Sequence, residues 1–280
     1  MGSSLADKAA WVMLLRDDPW DFVEKVLTSV PQGDRLDLRG VDLRGANLTH
    51  LGPIGVDLSG ARLDGATVEG STIVRCRLED VDLSVVVVVD DDERVIVDQL
   101  AALWAGPTAW AKWRAEHALE ELDRVDLSGA DLHAHDLTGL RMPGARLDGA
   151  DLHGALLDRV WLPHASLRGV QLTGAVLDQV TLTDADLAGA NLRGARVTVC
   201  GLEEARFVDA CLADTALEDC RGSRINVMAA DLKRARWART NFTGAHFDDA
   251  DLREARFRDC VFDGASLTRA KVYGAEGLPI

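Results

Sequence analysis

Two histidines, His133 and His153, stand twenty residues apart, and each follows an aspartate, Asp131 and Asp151, by two positions. Imidazole beside carboxylate is the raw material of acid–base catalysis and of transition-metal binding. Cys76, Cys200, Cys211, Cys220 and Cys260 add potential thiolate ligands or nucleophiles. None of these residues has the short Cys/His spacing of a zinc site. No Ser-His-Asp order and no glycine-rich phosphate loop ahead of a helix stands out either. Whether the two His/Asp pairs can act together depends on the elements that carry them.

Those elements follow a five-residue period. From Leu127 to Val272 every fifth residue is apolar, usually Leu, with Gly222 the single exception. Two residues before a centre sits a small side chain, as at Ala130, Ala145, Ala150 and Ala190. The position before the centre is often polar (Asp131, Asp151, Asp186, Asn191), and the second after it is often Gly129, Gly139, Gly149 or Gly169. A period of five fits neither a helix nor a simple strand, so the chain must turn a corner at each repeat. Glycine and Asp/Asn supply the corner, while the two inward residues of each unit stack on their equivalents in neighbouring coils. The result is a solenoid.

The runs VDLRGANL at 41–48 and DADLAGANLRGA at 184–195 resemble the pentapeptide repeat proteins. That resemblance implies an all-β solenoid, a right-handed quadrilateral β-helix with twenty residues per coil and, for this length, about ten coils. Stepping by twenty puts His133 and His153 in one column, but Thr173 follows them, so no third ligand is in place and solvated histidines are expected. Asp131 and Asp151 become wall residues at a recurrent position. Cys76, Cys200, Cys220 and Cys260 fall where Ala otherwise points inward and read as buried, reduced thiols, while Cys211 points outward. No metal, no cofactor and no enzymatic activity is expected.

The chain divides into a helical N-terminal cap (1–33), a first block of coils (34–84), an inserted α-helical hairpin (85–124), a long block of coils (125–275) and a short tail (276–280). The cap should cover the first Leu layer, which would otherwise be bare. Pro53 replaces one centre and predicts a bulge. Asp90, Asp91, Asp92 and Glu93 suit a helix N-terminus, and Gly106-Pro107 separates the two helices of the hairpin. Gly222 should leave a vacancy into which a neighbouring ring leans.

Of 280 residues, 46 are acidic and 31 basic, a net charge of −15, which disfavours direct binding to nucleic acid or an anionic membrane. The apolar run Val85–Val89 is too short to cross a bilayer, and a cytoplasmic location is expected. The resemblance also implies a function, since quinolone-resistance and self-immunity members of the family are understood as duplex mimics that occupy a type II topoisomerase. Bacterial DNA gyrase or topoisomerase IV is therefore one expected partner. At roughly 4.8 Å per coil the rod would be about 48 Å long, the length of about 14 base pairs. The alternative is an interaction scaffold, and a homodimer through the C-terminal coil is a further expectation. The partner-binding candidates are the acidic run Asp90, Asp91, Asp92 and Glu93, the hairpin tryptophans Trp104, Trp110 and Trp113, and the outward apolar residues Leu156, Trp161 and Val176. Because exposed apolar surface needs a cover, the hairpin is expected to fold over that last group.

Overall fold

The computed structural model describes residues 5–279 apart from 18, 31–34, 50, 52–54 and 91–92. The expected bulge at Pro53 lies outside the described residues. Two helices, α1 (Leu5–Asp17) and α2 (Pro19–Ser29), precede the first coil. Leu15, Phe22 and Val26 are buried with Leu38, Leu43 and Leu48, and Trp11 meets Phe22 edge-on at 5.7 Å. Lys8 Nζ reaches Asp37 at 2.7 Å, and Arg16 donates to the Asp42 carbonyl at 3.1 Å. The apolar side of the cap thus closes the first Leu layer, and its basic side is tied to the wall.

The coils form a right-handed quadrilateral β-helix. In the first block β1 (Leu36–Asp37) pairs in parallel with β2 (Val56–Asp57), and β3 (Thr67–Val68) pairs with β4 (Val87–Val88). In the long block one wall is a six-stranded parallel sheet: β5 (Leu156–Asp158), β6 (Val176–Asp178), β7 (Arg196–Thr198), β8 (Ala216–Glu218), β9 (Arg236–Ala238) and β10 (Arg256–Arg258). The other walls are single bridges with the same twenty-residue step, such as Asp126↔Arg146, Asp131↔Asp151 and Arg141↔Trp161. Each corner is closed locally, as where Ala190 N donates to Leu187 O at 3.0 Å. The second of the two residues between them, Gly189, has φ +66°, the left-handed region that glycine enters at least cost. Later corners use Asp209, Asp214 and even Arg234 there.

The interior is continuous. Leu172, Leu192 and Leu212 are stacked with no more than 3% exposure, and Ala190 and Ala195 beside them are fully buried. Towards the C-terminal coils the rings of Trp237, Phe242, Phe247, Phe257 and Phe262 form one cluster, with Trp237 and Phe242 centroids 5.3 Å apart. Phe242 lies 3.2 Å from where a Cβ on Gly222 would project, so the missing side chain is replaced by a ring from the next coil.

Among the described residues the five-residue period is broken in two places. A helical turn, α3 (Gly70–Ile73), stands where another regular wall unit is expected, because Glu93, from far along the chain, accepts a hydrogen bond from Gly70 N at 2.7 Å. A Cβ at Gly70 would meet Glu93 at 3.0 Å, so the absence of a side chain there permits the approach. The second break is the hairpin, α4 (Arg94–Trp104) and α5 (Pro107–Glu116), after which the superhelix resumes as Asp126 N donates to Val74 O at 2.8 Å.

Candidate functional site

The His/Asp pairs do not build a reaction centre. His133 Nδ1 lies against Asp131 Oδ1, and that hydrogen bond raises the imidazole pKa and lowers that of the carboxyl. His153 N donates to Asp151 Oδ1 at 2.9 Å, the ordinary wall turn of this fold. Among the described residues no three His, Cys, Asp or Glu side chains come together as a metal site. The five cysteines are free. Cys76, Cys200 and Cys220 are buried, while Cys211 and Cys260 are half-buried. Burial pushes the Cys76 thiol up to about 12, and Cys200 is pushed up by its hydrogen bond to Cys220 and by burial, so these two thiols are held in the neutral form among the packed side chains.

The carboxylates are mostly spoken for. Along the corners, arginines reach down one coil to acids: Arg234 Nε to Asp214 at 2.7 Å, Arg239 Nε to Asp219 at 2.7 Å and Arg221 Nε to Glu203 at 2.6 Å. Within single turns Arg39, Arg44 and Arg253 hydrogen-bond Asp37, Asp42 and Asp251 and hold their carboxyls well below the usual range. A carboxyl depressed in the fold contributes stability above its unfolded pKa of about 3.9, and that contribution is lost as pH falls through the folded value. Between about pH 8 and pH 3 the melting temperature is therefore expected to fall below about pH 4, while the raised His133 pKa adds a small contribution that is present below about pH 6.5 and lost as pH rises. Thermal melts across that range check it, and a melting temperature that holds or rises below pH 4 contradicts it.

The hairpin is docked. Trp110 is fully buried and its Nε1 donates to the Asp136 carbonyl at 2.6 Å. Arg114 Nη2 donates to the Thr138 carbonyl at 2.8 Å, and its Nη1 lies 2.8 Å from Asp136 Oδ1. Trp113 stacks between Trp110 and His117 at 5.7 and 4.8 Å, and Trp104 is half-buried. Gln99, fully buried, pairs with both backbone groups of Glu120 at 2.9 and 3.1 Å. Of the acidic run, Asp90 is exposed, Glu93 is committed to Gly70, and Asp91 and Asp92 lie outside the described residues.

The expectation that the hairpin lies over Leu156, Trp161 and Val176 is corrected by this geometry. The indole N–H and the guanidinium need acceptors, and they find them at Asp136 and Thr138, one coil before Leu156. The Gln99–Glu120 clamp holds the hairpin near the point where the rod resumes. Trp161 lies on another wall, with the Arg141 guanidinium 4.4 Å above its ring. Leu156 and Val176 pair side by side and remain 40% and 38% exposed.

Two features escaped the reading of the sequence. At the joint between the blocks Asp126 is 1% exposed, ion-paired to Arg35, with Arg35 Nη2 also 3.0 Å from Ser128 Oγ. Burial raises the Asp126 pKa against the pull of Arg35. Nothing in the local pattern separates Asp126 from the exposed aspartates at equivalent positions. The second is a hollow of ≈470 Å³ on the six-strand wall, with Ala216, Ala238, Arg236, Arg256 and Arg258 in its lining.

A parallel four-sided coil with a Leu/Phe interior and left-handed corners defines the class as a pentapeptide-repeat solenoid. The family description "Pentapeptide repeats (8 copies)" matches residues 121–160 and 164–198, and "Pentapeptide repeat region" matches 195–272. The chain belongs to the pentapeptide repeat family. No curated protein matches it significantly. Among solved structures it is similar to trypsin-treated QnrB1, a plasmid-mediated fluoroquinolone resistance protein, at 14% identity and TM-score 0.40, covering 85% of this chain and 89% of that one. A pentapeptide repeat protein of the Arabidopsis thaliana thylakoid lumen aligns at 23% identity and TM-score 0.32, over 43% of this chain and 70% of its own. HetL of Nostoc sp. strain PCC 7120, involved in heterocyst differentiation regulation, aligns at 20% identity and TM-score 0.20, over 90% and 94%.

Proposed function

We propose that this protein is a non-catalytic, protein-binding rod whose partner presents a basic groove of the kind a type II topoisomerase offers to DNA. The observation that carries this reading is the rigid presentation of excess negative charge: the acid-rich hairpin is clamped to the rod through Trp110, Arg114 and Gln99, in a chain of net charge −15. A stiff anionic rod about 48 Å long can occupy such a groove without paying the ordering entropy of a flexible acidic tail. A second reading, a scaffold that binds through its walls, is favoured by the arginine ladders that neutralise much of the long block and by the exposed pair Leu156 and Val176. A supercoiling assay with bacterial gyrase, with and without a quinolone, separates them. Inhibition or rescue that weakens with added salt is expected for the first reading. An inert protein at low salt sinks it and leaves the scaffold.

A further inference from the structure

The wall β5–β10 is divided along its length. At one end Leu156 and Val176 project beside Asp158 and Asp178, two pairs in direct register. Farther along the same two columns, Arg236, Arg256 and Arg258 surround the hollow over Ala216 and Ala238, with Glu218 and Glu276 also in its lining. Like charges directly opposite in a ladder are destabilising, yet Asp158 stands against Asp178 and Arg236 against Arg256. The corner arginines are tied to acids one coil away, whereas Arg196 and Arg236 form no ion pair among the described residues. Among the described residues Arg256 meets Glu276 alone, at 3.5 Å, and Asp158 is held at Oδ2 by Arg159 at 2.8 Å while its buried Oδ1 has no hydrogen bond.

We infer that this wall is a self-association face whose occupant is a second copy of this chain, packed wall to wall with its coils running the opposite way. A two-fold axis parallel to the strands, passing between β7 and β8, lays each column over its equivalent and reverses the strand order. β5 then faces β10, and β6 faces β9. The apolar knobs Leu156 and Val176 enter the hollow of the other copy, and Asp158 meets Arg258. Arg196 falls over Ala216, whose short side chain leaves room for it. Every contact occurs twice, as an isologous interface requires. The hairpin, anchored at Asp136 and Thr138, stands as a stop beside Leu156 and limits sliding of one copy along the other. The inference goes beyond the topoisomerase reading and does not depend on it, since the wall can pair with or without another partner.

Six strands roughly 4.8 Å apart make a face smaller than a standard interface of about 800 Å² per partner, so the dimer is weak. Sedimentation equilibrium of the full chain from about 1 μM to about 1 mM is expected to show monomer passing to dimer, with less dimer as salt rises. Reversing the acids (Asp158→Arg with Asp178→Arg) should leave monomer throughout, as should reversing the bases (Arg236→Asp, Arg256→Asp and Arg258→Asp). Mixing the two reversed proteins should restore the dimer. Leu156→Ser with Val176→Ser, which leaves every charge in place, should weaken dimerisation at least tenfold. Melting curves of each variant confirm folding. A chain that stays monomeric at about 1 mM overturns the inference. So does a dimer that survives both reversals, which would place the contact on the last coil instead.

Discussion

Trp237→Ala is expected to lower stability by about 3–5 kcal/mol, the range for removing a large buried aromatic. The indole is 1% exposed, stacks on Phe242 at 5.3 Å and meets Phe257 edge-on at 5.8 Å. Its Nε1 donates to Thr215 Oγ1 at 3.1 Å, and that hydroxyl donates in turn to Leu212 O at 2.7 Å, so the polar atom is satisfied inside the rod. The ring spans an interior too narrow to collapse, because each coil is held at strand spacing by its backbone ladder. Removing it also leaves the Thr215 hydroxyl without the indole. Urea denaturation of the variant beside Met228→Ala, an exposed centre-flanking change expected to stay within about 0.5 kcal/mol, measures the difference. Equal midpoints would mean that the aromatic column is not the core. Because solenoid coils couple mainly to their neighbours, the lost stability should appear first as melting of the C-terminal coils.

Asp126→Ala is expected to cost a similar amount, about 3–5 kcal/mol, by a different mechanism. The carboxylate is buried between the two blocks, and deleting it leaves the Arg35 guanidinium in a low-dielectric site without its partner. Arg77 and Arg146 then oppose the Arg35 charge, and Asp57 offsets them in part. Replacing both partners with apolar residues, Asp126→Leu with Arg35→Met, removes the stranded charge and should recover most of the loss. A double-mutant cycle monitored by urea denaturation tests this. Additive single-mutant costs would show that the two side chains do not act as a pair. Since a buried ion pair is a poor source of net stability, its effect is on register: it joins the first block to the second in one orientation across the inserted hairpin.

The wall-to-wall dimer and the topoisomerase reading use different parts of the surface. The first depends on Asp158, Asp178, Arg236 and Arg256, all in the long block, and the second on charge concentrated toward the hairpin. Charge-reversed monomers can therefore be carried into the supercoiling assay to ask whether association matters for any effect on gyrase.

What the sequence determined by itself is what repeats. The period of five carried the four-sided coil, the Leu columns, the inward small residues and the corners, because every unit makes the same local turn and stacks on its equivalents twenty residues away. It also carried the Gly222 vacancy, since an absence in a strict pattern is visible, and Phe242 occupies that space. Only the tertiary structure decided the contacts that occur once. Glu93 reaching Gly70, Arg35 reaching Asp126, and Trp110 choosing the Asp136 carbonyl over the Leu156 wall join residues with no periodic relation. Each is set by hydrogen-bond need in a buried place, where an indole N–H, a guanidinium or a helical turn must find an acceptor or donor. The complementarity of the two ends of the β5–β10 wall has the same origin. Its residues can be indexed from the period, but the hollow and the unpaired arginines exist only once the coils are stacked and each arginine has taken or missed its carboxylate.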